Sequence, residues 1–111
     1  MGRHEQLELL PGTLDLLILK ALVRGKMHGY GIAHMLKVTS EEVLTVGESS
    51  LYPALQRLLL NGWVTAEWGV SENNRRARYY TLTAAGRKQL SVERADFERM
   101  VAAIRRVLET A

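Results

Sequence analysis

At 111 residues the chain fits one domain, and a domain of this size buries a modest core, so a partner that covers further surface is plausible. Its 47% apolar and 24% charged content is typical of a folded protein, while the lack of cysteine excludes disulfides, thiolate metal sites and a cysteine nucleophile. Without a signal segment or an apolar run of membrane-spanning length, we expect a cytoplasmic protein with no membrane partner.

The net charge of +3 is unevenly distributed along the sequence. Residues 1–48 carry five Lys/Arg against six Asp/Glu, residues 49–90 carry six against two, and residues 91–111 carry four against four. Clustered cations suit a phosphate backbone, because binding there releases condensed counterions. A solvated basic surface is the alternative explanation.

After a polar arm at 1–12, the pattern predicts a first helix over 14–24 that is apolar most of the way round. One stripe comprises Leu14, Leu17, Ile18, Ala21 and Leu22, and a second comprises Leu16, Leu19 and Val23. Such a helix must be buried on both sides, so we assign the second stripe to a contact with another subunit. A second helix is predicted over 30–38, and a short strand over 43–46.

The third predicted helix begins at Ser49 or Ser50, has Pro53 in its first turn and ends at Asn61-Gly62. Its core stripe is Leu51, Leu55, Leu58 and Leu59. The opposite face carries Ser49, Ser50, Pro53, Gln56 and Arg57. Gln pairs with adenine, and Arg with guanine or phosphate, so this face suits the DNA major groove. Tyr52 borders both faces and suits either a phosphate contact or the core.

Two strands, over 63–68 and 77–82, are predicted around a turn at 71–76 that is rich in Asn. Arg75 and Arg76 at the tip would reach a minor groove or flanking phosphates, with Arg78 in support; ordinary solvation of the tip is the alternative. A last helix runs from a Thr83 cap to about Leu108. Its apolar residues follow a roughly heptad pattern through Leu90, Phe97, Met100 or Val101, Ile104, and Val107 or Leu108.

This order predicts a mainly α fold with a small β-hairpin. Residues 1–83 form a winged helix-turn-helix with its N-terminal arm, and residues 84–111 form a long C-terminal dimerisation helix, in one compact unit. We expect no metal or cofactor, because His28 and His34 lie six residues apart and His4 lies in the arm. The sequence also lacks a nucleophile–base pair, which argues against an enzyme.

Several ordered motifs together resemble the PadR family of bacterial transcriptional regulators, over roughly residues 8–108. They are the sequences at 10–15 (LPGTLD), 28–32 (HGYGI), 49–55 (SSLYPAL), 62–64 (GWV) and 78–86 (RYYTLTAAG). Ser49 replaces the glycine that usually opens the third motif. The resemblance implies a homodimer held by the first and last helices.

The resemblance also implies that a small aromatic effector binds at the dimer interface. Phe97 stands where many relatives have Trp, so it keeps a stacking face but loses the indole N–H donor. Phe97 is alternatively a plain interface residue.

We therefore predict a homodimeric repressor that reads a pseudo-palindromic operator in double-stranded DNA, with half-sites about one helical turn apart. The predicted DNA contacts are Ser49, Ser50, Tyr52, Pro53, Gln56, Arg57, Arg75, Arg76 and Arg78. The predicted dimer contacts are Leu16, Leu19, Val23, Phe97, Val101, Ile104 and Leu108. The alternative is a winged-helix module for protein interaction or dimerisation, without an operator.

Overall fold

An apolar core lies between three helices and a small sheet, and a fourth helix extends the chain. The computed structural model describes residues 7–9 and 12–111. Over these residues the helices are α1 (Thr13–Ala21), α2 (Gly29–Thr39), α3 (Glu48–Leu60) and α4 (Ala84–Leu108). The strands are β1 (Leu7–Glu8), β2 (Met27–His28), β3 (Leu44–Thr45), β4 (Val64–Val70) and β5 (Arg76–Leu82). This order confirms the predicted winged helix-turn-helix and the long last helix.

The predicted arm at 1–12 falls mostly outside the described residues, as does His4. Its described part includes β1, which pairs in parallel with β3. None of the helices that the structure describes is long and apolar enough to cross a membrane.

The sheet has the order β2-β5-β4, with antiparallel pairing throughout. The β4–β5 hairpin forms the wing. Compared with the predicted strands, β4 continues two residues further towards the tip, and β5 begins one residue nearer to it. Strand β2 lies directly before α2, where the sequence predicted no strand. It pairs Met27 with Tyr80 and His28 with Tyr79, which fixes the start of α2 against the wing.

The core is built from the apolar stripes of the first three helices and the inner end of the hairpin. Ile18, Leu19, Leu22, Ile32, Leu55, Leu58 and Val64 are its most completely buried large side chains. Burying each such side chain contributes about 1.5–3 kcal/mol relative to leaving it in water. Helix α3 is therefore held by its inner face, which leaves its other face for solvent or a ligand.

Two residues of the second apolar stripe of α1, Leu16 and Leu19, do not face outward, so their assignment to a partner was wrong. Leu16 is 8% exposed and Leu19 is fully buried in the single chain. Val23 is partly buried against the same core. The chain's own α4 contacts α1, and Arg87 Nη2 donates to the Val23 carbonyl at 3.4 Å. The chain itself therefore buries Leu16 and Leu19 and leaves Val23 partly exposed.

Helix α3 begins earlier than predicted. Gly47 is its N-cap and provides no side-chain cap, so Ser49 and Ser50 lie inside the first turn instead of capping it. Pro53 consequently lies in the second turn, where its missing N–H leaves one backbone carbonyl without a helical partner. The predicted end at Asn61-Gly62 is confirmed: Gly62 has φ 74°, and Trp63 N donates to Leu58 O at 3.0 Å.

The start of helix α4 packs against the residues that directly follow α3. The Thr83 side chain accepts a hydrogen bond from Gly86 N at 3.0 Å, which confirms Thr83 as the cap. Thr83 Oγ1 also donates to the Gly62 carbonyl at 2.8 Å. Gly86 packs so closely that an added Cβ would collide with the Trp63 carbonyl oxygen and press on Leu82. The long helix is therefore anchored on the residues that directly follow α3.

Candidate nucleic-acid interface

The outer face of α3 is open to solvent over two turns. Ser49, Ser50, Tyr52, Pro53 and Gln56 are all exposed, while Leu51, Ala54, Leu55 and Leu58 on the inner face are buried. The predicted division of this helix into a core face and a polar face is confirmed. Small hydroxyls near the N-terminus allow close approach of an anion, which the helix dipole favours.

Arg57 has a different environment from the one predicted. Its Nη2 donates to Asp15 Oδ1 of α1 at 2.8 Å, and the pair is partly exposed. The hydrogen bond and negative charge of Asp15 raise the pKa of the Arg57 guanidinium above its ordinary value. The ion pair links α3 to α1, and the Arg57 side chain stays exposed, so its contact with DNA remains a prediction.

Tyr52 projects from α3 towards the start of α2, and does not enter the core. Its side chain is 46% exposed and lies against Gly29, where an added Cβ would sit 2.8 Å from the phenol oxygen. Glycine at position 29 therefore lets α3 and the start of α2 approach each other closely. This placement agrees with the interpretation of Tyr52 as a surface side chain, and not with its interpretation as part of the core.

The wing has one continuous face that changes character along its length. Val64 and Leu82 form a register pair and are buried in the core. Two residues further out, Ala66 pairs with Tyr80; beyond them Trp68 pairs with Arg78. Because side chains on one face recur every second residue, the apolar core face continues into an aromatic and cationic outer face.

The cations of this face lie over aromatic rings. The Arg76 guanidinium is 4.4 Å from the Trp68 ring centroid, and that of Arg78 is 6.0 Å from the Tyr80 ring centroid. Trp68 is 58% exposed. Trp68 was not among the predicted site residues, although its position, two residues after Ala66 and four after Val64, places it on the same face of the strand. Stacking restrains Arg76 before any ligand binds.

The wing tip is a tight turn, as predicted. Asn74 has φ 59°, and Ser71 N donates to the Arg75 carbonyl at 2.8 Å. Arg75 and Arg76 are exposed there, although Arg76 already belongs to β5. Two cations are therefore presented on a closed, hydrogen-bonded turn.

His28 braces the wing against α2. Its Nδ1 accepts a hydrogen bond from Gly31 N at 3.0 Å, which caps α2, so its other nitrogen carries the proton. That nitrogen, Nε2, lies 3.4 Å from Glu72 Oε1 at the wing tip. Two hydrogen bonds hold the pKa of Glu72 below its ordinary value. The larger effect comes from a backbone hydrogen bond, and the smaller from the hydrogen bond with His28. The wing tip and the start of α2 are thus joined through one imidazole.

These elements surround a groove that is open to solvent and has a volume of about 660 Å³. We call it the wing groove. Its principal side chains come from the start of α2, from α3 and from the wing: His28, Tyr30, Tyr52, Trp68, Glu72, Arg75, Arg76, Arg78 and Tyr80. Burial raises the pKa of the Tyr80 hydroxyl, and neighbouring Arg78 opposes that rise. Three guanidinium groups against one carboxylate give the groove a positive balance that attracts anions.

The C-terminal half of α4, beyond its anchored start, exposes a second surface. Phe97 is 42%, Ile104 48% and Leu108 75% exposed, and Val101 is partly buried. These residues recur at intervals of four, three and four and form one stripe. Met100 and Val107, at 61% and 73% exposure, widen it. A stripe of this size in contact with water is characteristic of an interaction surface.

Comparison with known proteins supports this description. A model of the "Transcriptional regulator PadR-like family" matches residues 18–92. A transcriptional regulator from Clostridium thermocellum is similar at 29% identity, with a TM-score of 0.78, over 86% of this chain and 92% of that one. A PadR family transcriptional regulator from Eggerthella lenta shares 27% identity, with a TM-score of 0.75, over 90% of this chain and 85% of the other.

An uncharacterised protein of Lysinibacillus sphaericus is 26% identical over 84 residues, which is 76% of this chain and 77% of that protein. The family match covers well over half of the sequence, and the resemblance inferred from the motifs is confirmed. Family membership also agrees with a protein that regulates transcription and is not an enzyme. The chain belongs to the PadR-like family of DNA-binding transcriptional regulators.

Proposed function

We propose that the protein is a homodimeric repressor that places two copies of α3 in successive major grooves of a pseudo-palindromic operator. The observation that carries this proposal is that the polar face of α3 and the cationic face of the wing are both exposed, and that Tyr52 of α3 lines one groove together with the three wing arginines. Gln56, Ser49 and Ser50 supply the base contacts, with Tyr52 and Pro53 beside them. Arg75, Arg76 and Arg78 bind phosphates or the minor groove.

The dimer is proposed to form through the α4 stripe of Phe97, Val101, Ile104 and Leu108. Val23 lies near the start of α4, since its carbonyl accepts from Arg87, and it remains a candidate at the edge of the interface. Leu16 and Leu19 are left out, because the chain already buries both. In this division residues 1–83 bind DNA, and residues 84–111 set the spacing between the two recognition helices.

A small aromatic effector that releases the repressor is the finer part of the proposal. Phe97 is the one aromatic side chain of α4, and its 42% exposure leaves a ring face for stacking. Binding there would change the separation of the two α4 helices, and therefore of the two copies of α3.

The proposal is tested by selecting bound duplexes from a random pool with the intact protein, then competing them against the DNA upstream of its own gene. We expect enrichment of a two-fold symmetric sequence, and preferential binding of the upstream DNA. Equal binding of all duplexes would contradict an operator-reading repressor, and would favour a module whose α4 stripe serves another protein.

A further inference from the structure

The wing groove carries more exposed aromatic surface than contact with a DNA backbone requires. Tyr30, Trp68 and Tyr52 are 75%, 58% and 46% exposed, and the buried ring of Tyr80 also lines the groove. Phosphates need only cations and hydrogen-bond donors. The bases of an intact duplex are stacked on one another, so their faces are not available to these rings.

Cations stand beside the rings and not apart from them. Arg76 lies over Trp68 at 4.4 Å, and Arg78 lies 6.0 Å from the Tyr80 centroid. Glu72 is the sole carboxylate among the described lining residues, and the His28 ring lies 3.4 Å from it. The groove thus offers planar stacking surfaces and a net positive charge within one volume of about 660 Å³, a size ordinary for a small-molecule site.

We propose that the wing groove binds a nucleotide whose base is free to stack. The base lies against the aromatic wall formed by Trp68 and Tyr52, and the phosphate is paired with Arg76 or Arg78. The ligand is either a free mononucleotide or an unpaired nucleotide of a single strand. This inference goes beyond the proposed function, because such a ligand would occupy the groove in competition with duplex DNA.

The test is calorimetric titration of the intact protein with adenosine 5′-monophosphate, adenosine, inorganic phosphate and a five-nucleotide oligodeoxyadenylate. We expect saturable binding of the monophosphate, and affinities at least about tenfold lower for adenosine and for phosphate, since each supplies half of the contacts. A tighter oligonucleotide would identify a single strand as the source, and an oligonucleotide no tighter than the monophosphate would identify the free nucleotide. Two results would overturn the proposal. One is that neither the monophosphate nor the oligonucleotide saturates the protein, and the other is that inorganic phosphate binds as tightly as the monophosphate.

Variants locate the site. Trp68→Ala should weaken nucleotide binding roughly tenfold or more, and Trp68→Phe should retain most of it because a stacking face remains. Val70→Ala is the matched control, since Val70 is exposed on the same face of β4 but does not line the groove. Equal affinity of the Trp68→Ala and Val70→Ala variants would overturn the placement of the base.

Duplex binding, measured in parallel, separates this inference from the proposed function. A protein that prefers its upstream duplex but ignores nucleotides retains the proposed function and loses the inference. A protein that binds nucleotides in the groove but shows no duplex preference loses the proposed function and retains the inference.

Discussion

Arg57 of the recognition helix donates a 2.8 Å hydrogen bond to Asp15 of α1, 42 residues earlier in the chain. The pair joins α3 to α1, the helix that contacts α4. We expect it to help fix the angle of α3, and therefore the direction in which Gln56 and the serines point.

Arg57→Ala and Asp15→Asn should have similar consequences. Because the pair is partly exposed, each should lower the free energy of unfolding by only about 0.5–1 kcal/mol in urea denaturation. Both should weaken operator binding without changing the selected sequence. A changed base preference in Arg57→Ala alone, measured by selection from a random pool, would show that Arg57 reads a base after all.

The arginines of the wing tip should contribute affinity without sequence preference. Replacing Arg75 and Arg76 together with Ala should weaken binding to all duplexes, and should reduce the slope of log affinity against log salt by about 1–2. Electrophoretic titration at several salt concentrations measures this slope. The matched control is Arg94→Ala with Arg99→Ala on α4, which removes the same charge away from the groove. If both double variants keep the parental slope, the wing tip does not contact phosphates.

Gly86→Ala should destabilise the protein, because the added methyl group meets the Trp63 carbonyl where α4 is anchored. We expect a loss of about 1–3 kcal/mol in the free energy of unfolding, the usual range for overpacking. Gly47→Ala is the control, since a Cβ at that position meets nothing within 4 Å and should change stability by roughly a few tenths of a kcal/mol. Similar urea midpoints for the two variants would refute close packing at Gly86.

Ile104→Glu should dissociate the proposed dimer, because it places a charge in the middle of the α4 stripe. Sedimentation equilibrium should then give the mass of one chain, and operator affinity should fall with it. Ala102→Glu adds the same charge to an exposed residue on the other side of α4 and should leave the mass unchanged. A dimer that survives Ile104→Glu would place the interface elsewhere.

Much of the candidate site could be predicted from local patterns. The stripe Leu51, Leu55 and Leu58 identified the inner face of α3 and therefore its polar face, because a helix repeats every 3.6 residues. Thr83 and Gly62 marked a helix start and a helix end through local backbone chemistry. Trp68 was missed because alternation gives the face of a strand and not the partner that it meets.

The sequence by itself determined the order of the four helices and the wing, the outward face of α3 and the basic character of the region from α3 to the wing. These follow from periodicity, capping and charge, which act over a few residues. Only the tertiary structure decided that the chain itself buries Leu16 and Leu19, that Asp15 holds Arg57, and that Arg76 stacks on Trp68. The first two choices depend on contacts between segments far apart in the chain, and the third depends on strand register; a pattern of residue types along the sequence does not encode which partner each side chain meets.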